Sequence, residues 1–285
     1  SLMTRHHLHS ASGPGPVLEV DPSVAGWTSL DFSVLALSGP SEHIVETADR
    51  EVAIVLLEGS IKATVGGDSF SLSRAGVFVA MAHVLYVPPG HTIRLETEAP
   101  AEVAVGGAPA EGRYPVRLFR PDEMRSEIRG GGGATRQVNH ILAHPLPAER
   151  LILYEVYVPR GGWSGWPPHC HDGYEGSPYL EETYYFRLQP RDGWALHRNY
   201  RVDSDFDETF AVRDRDVVCV TQGFHSSAAA PGSHMYFLNY LAGNLRDDER
   251  AIPPFFQPEY RWIDGDWDAD AMVLPAVTAQ GSERG

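Results

Sequence analysis

Two histidines separated by a single residue give the strongest chemical signal in the sequence. His169 and His171 lie in segment 166–172, which reads Trp-Pro-Pro-His-Cys-His-Asp. On a β-strand, residues i and i+2 point to the same face, so both imidazoles can reach one ion at metal–nitrogen distances of about 2.0–2.2 Å. Because such a pair also arises by chance among 13 histidines, a metal site needs further ligands.

Glu182 and His225 are the candidates for these further ligands. Glu182 begins an apolar strand pattern about ten residues after the histidine pair, and His225 follows the predicted strand 216–220. Glu181, on the other face of the same strand, is an equally acceptable alternative to Glu182. Three imidazoles and one carboxylate suit Zn, Mn, Fe or Ni, and they leave coordination positions for the water or substrate that a catalytic ion requires.

The charge of the chain excludes several classes of protein. Its 285 residues include 23 Lys+Arg and 38 Asp+Glu, a formal net charge of −15. Proteins that bind nucleic acids or anionic membrane surfaces need a basic face, so we expect neither nucleic acid nor membrane among its partners. Lys62 is the only lysine, and Schiff-base chemistry would therefore depend on that one residue.

The cysteine content and the lengths of the apolar runs indicate the cellular compartment to expect. The two cysteines, Cys170 and Cys219, are too few for a disulfide framework or a structural zinc knuckle. No apolar run approaches the ~18 residues of a membrane span, and the N-terminal segment lacks the apolar core of a secretory signal. We expect a cytoplasmic protein that forms a homo-oligomer, since large antiparallel barrels often pair through their outer faces.

The elements that must position these ligands are β-strands. Short apolar or alternating segments, separated by Gly, Pro and Asp, recur along the chain. The pattern predicts strands at 30–37, 52–57, 61–65, 77–82, 92–95, 103–105, 151–158, 183–188, 194–200, 209–212, 216–220 and 235–241. Segment 121–128, with Asp122 and Glu123 in its first turn, is the one that looks like the start of a helix. An all-β sandwich or barrel follows from this pattern.

The second half of the chain repeats the layout of the first. Segments 50–59 and 181–190 both run from acidic residues through an apolar strand to a turn, and about 40 residues later a glycine turn meets His91 or His225. We predict one barrel used twice, with an N-terminal domain at 1–125 and a C-terminal domain at 126–285. The four-glycine run at 130–133 is interpreted as a flexible loop between the domains. The stretch 41–46 just before Glu51 contains no His-x-His, so the first barrel is predicted to be a metal-free scaffold.

The remaining histidines are not expected to bind metal. We interpret His6, His7 and His9 as part of a disordered tail. Six others are interpreted as structural or surface groups: His83, His91, His140, His144, His197 and His234. Cys170 should face away from His169 and His171, so we expect no loss of metal through it.

At this point the sequence resembles a known family. His-x-His, a later Glu before an aromatic strand, and a final His resemble the pattern of a cupin, which is a double-stranded β-helix or jelly-roll barrel, and two in tandem resemble a bicupin. Over roughly residues 25–265 the amino-acid sequence is similar to that of the 5-deoxyglucuronate isomerases of inositol catabolism. The segments that carry this likeness are 163–172, 179–187, 223–225, 229–232, 236–239 and 50–57. Cys170 departs from the usual lysine, and Phe186 replaces a tyrosine.

The resemblance implies an aldose–ketose isomerase that converts 5-deoxy-D-glucuronate to 5-dehydro-2-deoxy-D-gluconate by proton transfer through an enediolate. It implies one divalent ion held by His169, His171, Glu182 and His225, with the ion stabilising the enediolate. Glu182 is expected to serve also in proton transfer. Tyr184, on the same strand face, is expected to donate to a substrate oxygen.

The carboxylate of a uronate substrate calls for a planar arginine fork. Arg198 in segment 197–200 is the first candidate and Arg136 the second. Tyr200, two residues after Arg198, is predicted to lie in the same substrate site.

Other functions stay open on the sequence alone. A metal-dependent dioxygenase could use the same ligand set with iron. A non-catalytic sugar-binding cupin would not need the ligands, yet the chain keeps a full set in one half. The ketol-isomerases of 4-deoxy-5-hexosulose-uronate from pectin breakdown would perform nearly the same chemistry.

Overall fold

A computed structural model describes residues 4–281 of the chain. Within this range the protein is built almost entirely from strands. The α-helix Pro22–Ala25 is a single turn, and no helix of the described range is long and apolar enough to cross a membrane. The other helical segments are short 3-10 turns: Pro121–Glu123, Gly132–Ala134, Tyr174–Gly176, Asp247–Ala251 and Pro258–Asp264.

From residue 4 onward, ten strands precede the junction between the two halves of the chain. They are β1 (His7–His9), β2 (Gly15–Val20), β3 (Asp31–Leu37), β4 (Ser41–Glu46), β5 (Arg50–Val65), β6 (Asp68–Arg74), β7 (Val84–Val87), β8 (Thr92–Thr97), β9 (Ala101–Pro109) and β10 (Arg117–Phe119). One side of the first barrel has the strand order β10-β7-β5-β9-β3-β2. The other side consists of β4, β8, β6 and the second half of β5.

Strand β5 is a single strand of 16 residues where the sequence predicts two. The chain bends at Gly59 instead of ending there. Gly59 has a φ of +104°, and a Cβ at this position would lie 2.8 Å from the carbonyl oxygen of Pro100. The bend lets one strand serve both sides of the first barrel.

Eleven strands follow the junction within the described residues. They are β11 (Arg125–Arg129), β12 (Arg136–Leu142), β13 (Ile152–Val158), β14 (Trp163–Cys170), β15 (Leu180–Gln189), β16 (Ala195–Tyr200), β17 (Asp207–Val212), β18 (Asp216–Val220), β19 (Phe224–Ala229), β20 (His234–Gly243) and β21 (Phe255–Phe256). They form the sheets β1-β18-β15-β20-β13-β12-β11 and β17-β16-β19-β14-β21. The predicted all-β fold of two tandem barrels is confirmed.

Two predictions about the junction are wrong. The segment 121–128 is not a helix, because the turn Pro121–Glu123 is followed at once by strand β11. The glycine run does not separate the domains, because it joins β11 to β12 inside the second barrel. A Cβ on Gly131 would meet the ring of Trp267 at 2.5 Å, so close packing against the C-terminal segment accounts for glycine there.

The first strand of the chain belongs to the sheet of the second barrel. β1 pairs with β18, with His9 directly opposite Asp216. The histidines of this segment are therefore ordered, and the prediction of a disordered tail at His6, His7 and His9 is wrong. The predicted N-terminal domain of residues 1–125 includes β1, which the structure assigns to the other barrel.

The two barrels share an apolar layer between their large sheets. Its buried members come from both halves of the chain and include Phe32, Tyr86, Tyr185 and Tyr240. A buried ion pair crosses the layer, with two nitrogens of Arg74 each 3.0 Å from an oxygen of Glu155. The barrels therefore form one body.

Two buried glutamates fasten the barrels reciprocally. Glu51, at the start of β5, accepts hydrogen bonds of 2.7–3.0 Å from backbone N–H groups 149–151 of the second barrel. Glu181, at the start of β15, accepts hydrogen bonds of 2.8–2.9 Å from backbone N–H groups 28–30 of the first barrel. Each carboxylate accepts hydrogen bonds from three backbone N–H groups of the other barrel. Without it, these buried donors would need other side chains or water as acceptors.

Candidate metal and substrate site

Three histidines from two neighbouring strands converge in the second barrel. His169 lies near the end of β14 and His171 just after it, and His225 lies on β19 directly opposite His169. One ligating nitrogen from each of the three lies within 4.8 Å of the other two. The structure therefore brings together the histidines singled out from the sequence. His225 lies on a strand of its own rather than in a loop after β18.

The carboxylate beside these histidines is that of Glu182. Its Oε1 lies 3.0 Å from Nε2 of His171 and 3.2 Å from Nε2 of His225. Glu181, the alternative left open by the sequence, points to the opposite face of β15 and binds the first barrel. Successive residues of a strand face opposite sides, so one glutamate faces the barrel interior and its neighbour faces the interface.

Hydrogen bonds from Nδ1 to backbone carbonyls orient two of the histidines. Nδ1 of His171 donates to the Leu180 carbonyl at 2.8 Å, and Nδ1 of His225 donates to the Gly223 carbonyl at 3.2 Å. Nε2 of each ring then faces the cluster, the arrangement typical of metal-binding histidines. Among the described residues, the buried Nε2 of His225 has no hydrogen-bond partner. An unpartnered nitrogen and a mixed N/O donor set both fit a divalent ion.

Burial and mutual charge set the protonation of this cluster. Burial, followed by the charges of His225 and His171, lowers the pKa of His169 well below its usual value. Burial alone would raise the pKa of Glu182, but the hydrogen bond from His171 and the nearby imidazole of His225 outweigh it and hold this pKa at about 2. A neutral imidazole and an ionised carboxylate are the forms that bind a cation.

His169, His171 and Glu182 line a cavity of about 550 Å³ inside the second barrel, and His225 lies behind them. Small-molecule sites commonly have volumes of about 300–1,000 Å³. Tyr184, two residues after Glu182 on β15, lines the same cavity. Burial, followed by the charge of Glu182, raises the pKa of Tyr184 well above its usual value, so its hydroxyl keeps its proton and can donate it in a hydrogen bond.

Arg136 contributes a buried positive charge to the cavity. Its Nη1 donates to the carbonyl oxygens of Ala134 at 3.0 Å and Trp166 at 3.2 Å. Within residues 4–281 its side chain makes no other hydrogen bond, so further N–H groups can bind an anion. Burial, followed by the charge of Arg129, lowers the pKa of Arg136 to about 10. The partners of this guanidinium are neutral carbonyl groups, and a bound carboxylate would give it an anionic partner.

Arg198 and Tyr200 do not line the cavity, which corrects the sequence prediction for both. They lie on the outer face of β16, where the half-exposed Arg198 makes two hydrogen bonds of 2.9 Å to Asp207. The guanidinium stacks 4.1 Å from the ring centroid of Tyr200, whose hydroxyl bonds Gln257. The inner face of β16 carries the buried residues His197 and Asn199 instead.

Several residues that line the cavity were not predicted. Arg125 and Arg129 come from edge strand β11, and Phe256 and Trp267 come from the C-terminal segment. The available signal for the arginines was their spacing beside the glycine run, whereas the C-terminal segment carries no recognisable motif. Two histidines interpreted as structural or surface groups, His140 and His144, also line the cavity. Cys170 is buried and does not line it.

Comparison with known proteins shows which family the chain is similar to. A model of the KduI/IolB family matches residues 2–263 of the chain. A 5-deoxy-glucuronate isomerase of Geobacillus kaustophilus is 38% identical over 243 residues, which cover 84% of this chain and 88% of that protein. A protein of the same name from Bacillus subtilis is 32% identical over 269 residues, covering 92% of this chain and 98% of its own length.

Solved structures show the same fold. An IolB-like protein from Salmonella typhimurium superposes with a TM-score of 0.86 at 33% identity, covering 92% of this chain and 100% of that chain. The oxalate decarboxylase of Lactobacillus farciminis, in a formate complex, gives a TM-score of 0.63 at 11% identity and covers 96% of both chains. At such low identity the second likeness concerns the fold alone, and it confirms the predicted tandem cupin barrels.

Proposed function

Because the chain belongs to the KduI/IolB family, we propose that it is a metal-dependent isomerase that converts 5-deoxy-D-glucuronate to 5-dehydro-2-deoxy-D-gluconate. Relatives named for this activity match most of the chain. One observation carries the proposal. A single cavity is lined both by His169, His171 and Glu182 of the cluster and by the buried guanidinium of Arg136.

The reaction moves a proton between adjacent carbons of the sugar. The aldehyde at C1 and the hydroxyl-bearing C2 become a hydroxymethyl group at C1 and a ketone at C2. The C2 proton leaves to a base, a proton is delivered to C1, and the O2 proton passes to O1, so no oxidant or reductant is consumed. The site must therefore stabilise negative charge on two neighbouring oxygens and exchange protons with two carbons.

His169, His171, His225 and Glu182 are the residues that would hold the divalent ion. When bound, such an ion polarises the carbonyl and hydroxyl oxygens and stabilises the negative charge that develops as the C2 proton leaves. Zn, Mn, Fe and Ni all accept this donor set. The protein's part is to fix the ligands in the interior of a rigid barrel, next to the substrate cavity.

Arg136 is placed to bind the substrate carboxylate. Its carbonyl partner Trp166 lies three residues before His169 on β14, about 10 Å along the strand. With the carboxylate held at the guanidinium, the aldehyde end of an extended sugar can face the histidines. Arg125 and Arg129 add positive charge to the same cavity, so the site attracts an anion although the whole chain is acidic.

Glu182 and Tyr184 handle the protons. Oε1 of Glu182 faces His171 and His225, whereas Oε2 makes no hydrogen bond to any residue that the structure describes. This second oxygen is a base for the C2 proton and can return it to C1. Tyr184, protonated and on the same strand face, donates to a substrate oxygen.

An anaerobic assay of the metal-loaded protein tests this function against its rivals. We expect conversion of 5-deoxy-D-glucuronate to the ketose, followed by NMR, and no conversion after chelation of the metal. A requirement for oxygen would indicate a dioxygenase, and binding without turnover would indicate a sugar-binding cupin. Faster turnover of 4-deoxy-5-hexosulose-uronate would assign the chain to pectin breakdown. Undiminished turnover by metal-free protein would refute the metal dependence.

A further inference from the structure

A second histidine pair, on strand β1, faces a buried carboxylate. His7 and His9 share one face of the strand, and Asp216 on β18 lies directly opposite His9. Nε2 of His7 lies 2.9 Å from Oδ2 of Asp216, and Nδ1 of His9 lies 2.6 Å from Oδ1. One ligating atom from each of the three residues lies within 4.8 Å of the other two.

We propose that His7, His9 and Asp216 form a second site for a divalent transition-metal ion of the zinc class. Two imidazoles and a carboxylate suit this class, and water can complete the coordination. Ligand atoms about 2.0–2.2 Å from one ion lie at most about 4.4 Å from one another. The three ligating atoms lie within 4.8 Å of one another, slightly beyond this limit, so small side-chain rotations bring them into range.

The surroundings of Asp216 favour a cation. The carboxylate is almost fully buried, with 2% of the side chain exposed, and the backbone N–H of Arg213 donates to Oδ2 at 2.8 Å. The Arg215 side chain points elsewhere, to Glu102 and Asp214. Imidazoles carry charge only when protonated, so an ion would supply lasting positive charge to a buried carboxylate that needs it.

This site is separate from the cavity. Asp216 begins β18, whereas Val220 at its other end pairs with Glu182. The four residue-to-residue steps from 216 to 220 span about 13 Å of strand. An ion here would join β1 to β18 and so fasten the start of the described chain to the second barrel, before the chain crosses to the first.

Metal stoichiometry tests the proposal, with His9→Gln as the main variant. Glutamine can still donate to Asp216, so it keeps the hydrogen bond and removes the imidazole ligand. We expect zinc-saturated, gel-filtered protein to lose one equivalent of zinc in His9→Gln, measured by elemental analysis. His6→Gln is the matched control, because His6 lies just before β1 and contacts Glu208 rather than Asp216; it should lose none. We expect His9→Gln to remove one equivalent of zinc also when it is added to His225→Ala. This comparison makes the result independent of the metal proposed for the cavity.

Hydrogen exchange gives a second readout on the intact chain. At a zinc concentration 100 times Kd, the β1 amides of the wild type should exchange about 100-fold more slowly, because the ion binds only the paired strand. His9→Gln should show no zinc effect on these amides. The proposal is overturned by unchanged zinc content in His9→Gln, by an equal loss in His6→Gln, or by zinc-insensitive exchange of β1 in the wild type.

Discussion

The first and second barrels share their strand layout and differ in what fills them. Val52 on β5 pairs with Val87 on β7, and Glu182 on β15 pairs with Val220 on β18, so Val52 occupies in the first barrel the position of Glu182 in the second. Two residues further along, Ile54 corresponds to Tyr184. The first interior is an aliphatic core, and the second contains the cavity. The two barrels share a topology, so the difference between an aliphatic core and a cavity with polar ligands comes from a few interior side chains.

The positions that face the other barrel do not differ in this way. Glu51 and Glu181 begin equivalent strands, and both carboxylates accept hydrogen bonds from three backbone N–H groups of the neighbouring barrel. The two residues are alike because both barrels need the same contact. This pair of contacts is symmetric, whereas the interiors of the two barrels differ in their chemistry.

The largest difference between the barrels is expected from their histidines. His225→Ala should abolish metal binding at the cavity and lower turnover by at least ~100-fold, because even loss of an outer partner of a metal ligand costs about 10–100-fold. His91→Ala, at the matching turn of the first barrel, is the control and should keep both metal and turnover. Elemental analysis and steady-state kinetics measure the two effects. Equal losses in both variants would contradict a metal site confined to the second barrel.

Removal of the cavity arginine should have the next largest effect. Arg136→Ala is expected to raise KM for the uronate by about 10- to 100-fold, because a hydrogen bond to a charged group contributes about 1.5–3 kcal/mol. Arg198→Ala removes an exposed ion pair with Asp207 and should leave KM unchanged. Steady-state kinetics of the two variants compares them directly. If KM rises in Arg198→Ala alone, the carboxylate binds elsewhere.

The paired interface carboxylates should affect stability rather than chemistry. Glu51→Gln and Glu181→Gln each bring an amide N–H against backbone N–H donors, and we expect each to destabilise the fold by about 1–3 kcal/mol. Zinc content per folded molecule should stay at the wild-type value in both. Thermal unfolding and elemental analysis give the measurements. A loss of metal in Glu181→Gln would mean that Glu181, not Glu182, is the ligand.

The smallest expected effect concerns a single hydroxyl group. Tyr184→Phe should lower kcat by up to about tenfold, the value of one neutral hydrogen bond. Tyr185→Phe is the matched control, because the Tyr185 hydroxyl is buried at the other face and has no partner among the residues the structure describes. It should leave kcat unchanged. An unaffected kcat in Tyr184→Phe would remove this residue from proton handling.

Strand parity explains which site residues were predictable. His169 and His171 are two apart, so their common face follows from the two-residue period of any strand. Choosing Glu182 over Glu181 requires knowing which face is the barrel interior, and two adjacent acids leave that open. The same ambiguity produced the error at Arg198, whose strand was predicted correctly but whose side chain faces outward.

Long-range pairing accounts for most of the remaining errors. β1 has too few apolar residues to be predicted as a strand, and it exists because β18 offers it a partner some 200 residues away. Its histidines therefore looked like a tail. The C-terminal segment that brings Phe256 and Trp267 to the cavity has no periodic pattern, and its position depends on packing against β14 and the glycine run.

Local patterns in the amino-acid order were enough for the all-β class, the twofold repeat and the histidine pair with its shared face, since these depend on periods of a few residues. Which glutamate enters the cavity, which of the two candidate arginines lines it and where the first strand lies depend on contacts between residues far apart in the chain. Only the closed barrels specify those contacts, because curvature and strand pairing define an inside and an outside that no short segment contains.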